Sequence, residues 1–212
     1  MAYRPTEQTR RSAHAKRLAM LASARALVAE AGFSAATIAA IAEGSGVSVG
    51  SVYSYFDNRD TLLAEVFRDS AEHEYAQVAT AVDASACPAD RLDALVSTFA
   101  DRALRGRRLA WSLLFEPVIP AVDAERLRLR RWYRALGADL IADGIADGTF
   151  VEQDPGVASS ALLGAISESL VGALNPDTSP IAGDDPDALL ATIRAFCFRA
   201  LGAVPPPEEK KR

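Results

Sequence analysis

The sequence predicts an all-α fold: an N-terminal three-helix module with a helix-turn-helix, then a larger helical domain. Three observations carry this. Alanine and leucine are abundant while β-branched runs are short, no period-two alternation lasts, and apolar residues recur at helical spacing between glycine and proline stops. The 212 residues are 50% hydrophobic and 24% charged. Such a composition excludes a wholly disordered chain and allows one or two domains.

Residues 12–31 place Met20, Leu21, Ala24, Leu27, Val28 and Ala31 on one stripe of an amphipathic helix. Gly32 stops it. A short helix is expected from Ile38 to Gly44, with Thr37 as its cap, then a turn at Ser45-Gly46-Val47. A second short helix runs from Val49 to Tyr55 behind Ser48. Asn58 caps a longer helix from Arg59 to about Val82. Pro88 opens a helix reaching Arg105, and Arg107–Phe115 forms the next. Pro117 and Pro120 predict an irregular link before a long helix over Asp123–Asp147. Gly156–Leu174 is an apolar helix rich in small residues, Asn175–Pro186 a loop, and Asp187–Gly202 the last helix. The tail Val204–Arg212 has no means of packing and is expected to be mobile. The division is therefore 1–67 (with an N-terminal arm over about 1–13), 68–203, and the tail 204–212.

A net charge of −5 looks wrong for a nucleic-acid binder, but the average conceals an asymmetry. Residues 1–60 hold seven Lys/Arg against five Asp/Glu, and residues 61–212 hold sixteen against twenty-three. The pattern is a basic module on an acidic body, with an arm that is either solvated or phosphate-binding. No run of about 18 uncharged apolar residues occurs, so no membrane-spanning helix is expected. The N-terminus lacks the apolar core of a secretory signal. Cys87 and Cys197 lie far apart without a CxxC. These features predict a cytoplasmic protein with no metal site and no cofactor.

Two short helices joined by a glycine-containing turn form a helix-turn-helix signature. Such a motif enters the DNA major groove with its second helix while the first braces it across the backbone. Ile38, Ile41, Ala42, Val47 and Val52 have the spacing to pack the pair together. Ser48, Val49, Gly50, Ser51, Tyr53 and Tyr55 are left for the outward face and the helix ends. Small residues allow close approach, and tyrosines offer rings and hydroxyls to thymine methyls and phosphates. The same pattern also occurs as plain structure, with Tyr53 partly in the core and Ser51 merely solvated.

The run from Thr37 to Leu63 resembles the DNA-binding region of the tetracycline-repressor-like (TetR) family of bacterial transcription regulators. The matching points are Ala42, Gly46-Val47-Ser48, Gly50, Tyr53, Phe56, Arg59 and Leu62-Leu63, preceded by Ala31-Gly32-Phe33. The resemblance is specific over about residues 14–67. It implies that Thr37 caps the bracing helix and contacts phosphate, and that Ser48 caps the recognition helix. Val49, Gly50, Ser51 and Tyr53 then face bases and backbone, while Tyr55 and Arg59 touch phosphate. Arg59 stands where lysine is common in the family, so its reach and fork geometry differ. Val49, Gly50 and Ser51 offer only short contacts, which shifts sequence choice toward methyl contacts, the arm and DNA shape.

The resemblance further implies that the body binds a small effector and dimerises. Phe99, Trp111, Leu114, Phe115, Trp132 and Tyr133 supply large apolar surface for an effector pocket, although such a cluster is more often core. Glu116 and Glu168 each lie in an apolar run, where a buried carboxylate requires a partner, either a ligand group or an arginine of Arg126–Arg134; the plainer alternative is an internal ion pair or a surface position. The basic run Arg126, Arg128, Arg130, Arg131 and Arg134 is expected to be a solvated or ion-paired face. Leu189, Leu190, Ile193, Phe196, Cys197 and Leu201, with Ala158, Ala161, Leu162, Ala165, Ser169 and Gly172, offer a four-helix interface between two subunits or cover the subunit's own core.

The expected function is a repressor that binds a palindromic double-stranded operator as a homodimer and is released by a small, mostly apolar effector. The alternatives are a ligand-independent regulator or activator with the same module and, less favoured, a small helical enzyme. The enzyme reading lacks a constellation. Only His14 and His73 are present, no HExxH, Walker A, GxSxG or dinucleotide fingerprint occurs, and Asp69 with His73 makes only two metal ligands.

Overall fold

The computed structural model describes residues 7–177 and 185–204. Nine helices and no strand are found among them: α1 (Glu7–Ala31), α2 (Ile38–Ser45), α3 (Val49–Tyr55), α4 (Arg59–Asp83), α5 (Pro88–Arg105), α6 (Arg107–Leu114), α7 (Pro120–Ala146), α8 (Pro155–Leu174) and α9 (Pro186–Ala200). The first helix is longer than its apolar stripe, so residues 7–13 of the expected arm are helical. Residues 1–6 of that arm and 205–212 of the expected tail lie outside the described residues. Pro120 begins α7 instead of breaking the link before it. A proline at the first helical position loses no hydrogen bond and already has helical φ.

The N-terminal module packs α1, α2 and α3 around Met20, Ala24, Val28, Ile41 and Val52, all fully buried. Thr37 caps α2 by accepting from the Ala40 amide at 3.2 Å, and Ser48 caps α3 by accepting from Ser51 at 3.2 Å. The turn between them closes on Gly46, whose φ of 67° is left-handed. No atom lies within 4 Å of the position a Cβ would take there, so backbone conformation alone favours glycine. Asn58 caps α4 through the Thr61 amide at 2.8 Å.

The body is built on α4, α5 and α7, with α8 against α7 and α9 against α5 and α8. One continuous cluster runs from Met20 through Phe67 to Leu201, so α4 is shared between the module and the body. Phe67, fully buried and stacked on Phe33 at 6.0 Å, joins the two parts. Burying such a ring stabilises the fold by about 2–3 kcal/mol. Helices α7 and α8 approach closely where Gly137 faces Ser159, whose hydroxyl donates to the Arg134 carbonyl at 2.9 Å.

By length and composition α8 is apolar enough to cross a bilayer, although Glu168 interrupts its uncharged run. Ala158, Leu162, Ile166, Leu170 and Leu174 are nevertheless buried in the core.

Candidate functional site

The outward face of α3 is open. Val49 is 46% and Tyr53 55% exposed. Ser48 and Gly50 are also exposed, Ser51 is half-buried, and Thr37 is exposed at the start of α2. The Ser48 and Ser51 hydroxyls lie 2.9 Å apart in a mutual hydrogen bond. Buried Val52 and Phe56 hold the helix from behind, and Arg17 lies 4.9 Å over the Phe56 ring while pairing with Glu65 at 2.5 Å. Tyr55 is half-buried and packs against the core.

Arg59, also half-buried, is tied into the module. Its Nε donates to the Ala36 carbonyl at 3.1 Å and a terminal nitrogen donates to the Phe33 carbonyl at 3.0 Å. The guanidinium clamps the loop between α1 and α2, a role that needs its fork geometry and that lysine lacks.

In the body, α4, α5, α6, α7 and α8 line a partly open cavity of about 110 Å³. Phe99, Leu114 and Tyr133 line it. Tyr133 sits edge-on to Phe99 at 5.4 Å and to Tyr75 at 5.2 Å, and burial pushes its phenol pKa up. Five expected pocket residues are not on the wall. Trp111 and Phe115 contact each other at 5.4 Å, half-buried against the core. Trp132 packs on Tyr75 at 5.6 Å beneath Arg128 at 4.8 Å. Glu168 is exposed and needs no internal partner. Glu116 is buried, but at the junction with the N-terminal module. There it accepts from the Ser34 amide at 3.4 Å and lies 3.6 Å from Arg108.

Charged wall residues were missed by the sequence reading. Glu74 of α4 takes two bonds from Arg102 of α5, at 2.6 and 3.0 Å. Arg126, expected on a solvated or paired face, is buried. It donates to the carbonyls of Ser112, Leu113 and Glu116 at 3.2, 2.9 and 2.8 Å, capping the end of α6. Arg128 fits the ion-paired expectation, with Glu72 at 3.1 Å and Glu125 at 3.5 Å. The signal for Arg126 was its position one turn before buried Leu129 and two before Tyr133, on the apolar side of α7.

Among the described residues no group of three or more His, Cys, Asp and Glu side chains is placed to hold a metal. Asp69 faces Arg25 at 3.4 Å. Cys87 and Cys197 are both free thiols, and burial raises Cys197 to about 11.

A helix-turn-helix with an open second helix, mounted on a larger helical body that holds a mostly apolar cavity, defines a DNA-binding transcription regulator. Residues 20–66 match the bacterial regulatory proteins of the tetR family, and residues 85–170 match a tetracyclin repressor-like C-terminal domain. The chain is 30% identical over 143 residues to the HTH-type transcriptional repressor KstR2 of Rhodococcus jostii, covering 64% of this chain and 68% of that one. It is 25% identical over 137 residues to KstR2 of Mycolicibacterium smegmatis, covering 62% and 65%. This chain belongs to the TetR family. Its relatives are regulators, so the enzyme reading is set aside.

Solved structures share the fold. FadR from Bacillus subtilis in complex with stearoyl-CoA superposes with a TM-score of 0.71 at 19% identity, covering 85% of this chain and 96% of that one. RolR in complex with resorcinol gives 0.66 at 22%, covering 92% and 91%.

Proposed function

We propose that this regulator is a repressor that binds a palindromic operator as a homodimer in the cytoplasm and is released by a small, mostly apolar effector. The observation that carries the reading is the course of α4. Arg59 at its start clamps the loop leading into the helix-turn-helix, and Glu74 and Val78 further along line the cavity. At 1.5 Å per residue the two ends of that lever are about 28 Å apart. A ligand that fits one position of α4 better than another biases the placement of α3. Residues 1–67 act as the DNA-binding unit and 68–203 as the effector and dimer unit, with α4 crossing the boundary.

Thr37, Ser48, Val49, Gly50, Ser51 and Tyr53 are the proposed DNA contacts, with Tyr55 and Arg59 in supporting places. Exposed Val49 and Tyr53 suit methyl and phosphate contacts. For the dimer, Val157 of α8 is 66% and Phe196 of α9 49% exposed, and Gly164 and Gly172 leave open space beside α8. A close four-helix contact would cover them. Ala158, Leu162, Ile193, Cys197 and Leu201, also offered for that interface, are buried in the subunit's own core. FadR in complex with stearoyl-CoA and RolR in complex with resorcinol support a ligand-responsive reading for a protein of this fold.

The test is selection of bound duplexes from a random pool by the full-length protein. Palindromic half-sites about 34–36 Å apart, or a multiple of that, are expected. Recovery of only non-palindromic or single-stranded sites would overturn the reading.

A further inference from the structure

The charges on the cavity wall are unbalanced. Glu74 is the only carboxylate among the lining residues, and both its oxygens are engaged by Arg102. Arg126 and Arg130 also line the cavity. The ion-pair contact of Arg126 is Asp123 at 3.5 Å, whose side chain is half-exposed and off the wall. Arg130 is exposed and has no acidic partner among the described residues. Burial lowers the Arg126 pKa, Asp123 and Glu116 oppose the shift, and the like charge of Arg130 adds to it, so the two guanidinium groups feel each other. The rest of the lining is almost entirely apolar, including Val78, Leu109, Leu113, Leu129 and Leu163.

We infer that the effector is an organic carboxylate with a compact apolar body, its carboxylate received by Arg130 in the field of Arg126. This rests on the cavity being the effector site. A cation at this wall meets the unpaired charge of Arg130 and that of Arg126, which Asp123 offsets only from off the wall. A neutral apolar molecule leaves them as they were. A carboxylate supplies the missing negative charge, and the planar fork of Arg130 matches its two oxygens. Arg126 has most of its donors on the carbonyls at the end of α6, so it contributes charge and Arg130 contributes the hydrogen bonds. The volume limits the body. A cavity of about 110 Å³ is of the order of the ~150 Å³ cavity that takes up benzene. One ring or a short alkyl chain fits without opening the helices.

The experiment is calorimetric titration of the full-length protein with three probes of one shape: phenylacetate, 2-phenylethanol and 2-phenylethylamine. Phenylacetate is expected to bind about tenfold tighter than the alcohol, with the amine weakest. Arg130→Gln is expected to bring the ratio of acid to alcohol close to one. Equal binding of acid and alcohol by the parent protein, or a ratio unchanged in Arg130→Gln, overturns the inference and leaves the cavity as an apolar effector site. Failure of all three probes to bind overturns the cavity reading as well. Phenylacetyl-CoA that binds tighter than phenylacetate, and equally in Arg130→Gln, also overturns it, because recognition then lies outside Arg130.

Discussion

The carboxylate of Glu116 accepts a hydrogen bond from the backbone amide of Ser34 at 3.4 Å, joining positions 82 residues apart. Arg108 completes the junction by donating to the Ala31 carbonyl at 2.6 Å, beside Glu116 at 3.6 Å. The end of α6 therefore holds the end of α1. The Glu116 carbonyl in turn receives Arg126 from the cavity wall. Besides α4, this gives a second physical link between cavity and DNA module. Glu116→Ala removes a buried partner of Arg108 and leaves the Ser34 amide unsatisfied. It is expected to cost about 1–3 kcal/mol, read as a lower Tm. Because Glu116 is off the cavity wall, ligand affinity of the free protein should hold while the coupling between ligand and operator falls. A variant with parental Tm and coupling would show that the junction is passive.

Gly32 and Gly46 both have left-handed φ, at 87° and 67°, but only Gly32 is crowded. A Cβ on Gly32 would lie 1.9 Å from the Arg108 guanidinium and 2.5 Å from the Glu116 carboxylate. Gly46→Ala is expected to cost about 1 kcal/mol from φ alone. Gly32→Ala should cost more, since it adds displacement of the Arg108–Glu116 junction to the same strain. Paired denaturant titrations check the order, and equal midpoints would remove the junction from the explanation.

Tyr53 and Arg59, both expected to touch DNA, should separate on substitution. Tyr53→Ala removes a side chain that is 55% exposed, so Tm should stay within a degree or two while operator affinity drops by roughly fivefold. Arg59→Ala breaks two hydrogen bonds to loop carbonyls, so Tm should fall along with affinity. The slope of log K against log salt should fall by less than the ~1 of a full phosphate contact. A full unit lost at unchanged Tm would return Arg59 to the phosphate role.

Local chemistry made much of the DNA module legible. Thr37, Ser48 and Asn58 cap the helices they were expected to cap, because a cap requires only a short oxygen-bearing side chain beside free amides. Pro88 likewise opens α5 at its expected residue. The cavity was harder to read. Phe99 and Tyr133 on its wall and Trp111 and Phe115 off it share helical spacing and apolar character, and only packing separates them. The two glutamates in apolar runs diverged for the same reason: Glu116 ends a helix against another domain, while Glu168 lies on the outer face of α8. Arg126 was obscured because burial of an arginine depends on carbonyls from a different helix.

Phe196 offers a direct check on the dimer. It is 49% exposed on α9, while its neighbours Cys197 and Phe198 are fully buried. Phe196→Glu should therefore leave the subunit folded and place charge in the proposed apolar contact. The expected result in sedimentation velocity is a monomer with parental helicity and a large loss of operator affinity, since two half-sites can no longer be held together. A dimer that persists unchanged would move the interface elsewhere.

Ligand and operator must oppose each other by one common factor if the effector releases DNA. An effector shifts the regulator only through its differential affinity for the two positions of α4 and the α6 junction. Phenylacetate titrated into free protein and into the protein–operator complex should therefore bind the complex more weakly. Operator titrated with and without saturating phenylacetate should weaken by the same factor, about 5- to 150-fold for a coupling of 1–3 kcal/mol. Phe99→Ala should weaken the ligand arm, because Phe99 lines the cavity and supports Tyr133 edge-on. Trp111→Ala should instead lower Tm, because its ring packs on Phe115 and the core. If free protein and complex bind phenylacetate equally, it is no inducer, whatever its affinity. If Trp111→Ala abolishes ligand binding at unchanged Tm while Phe99→Ala does not, the effector sits on the Trp111–Phe115 side of α6 and not in the cavity described.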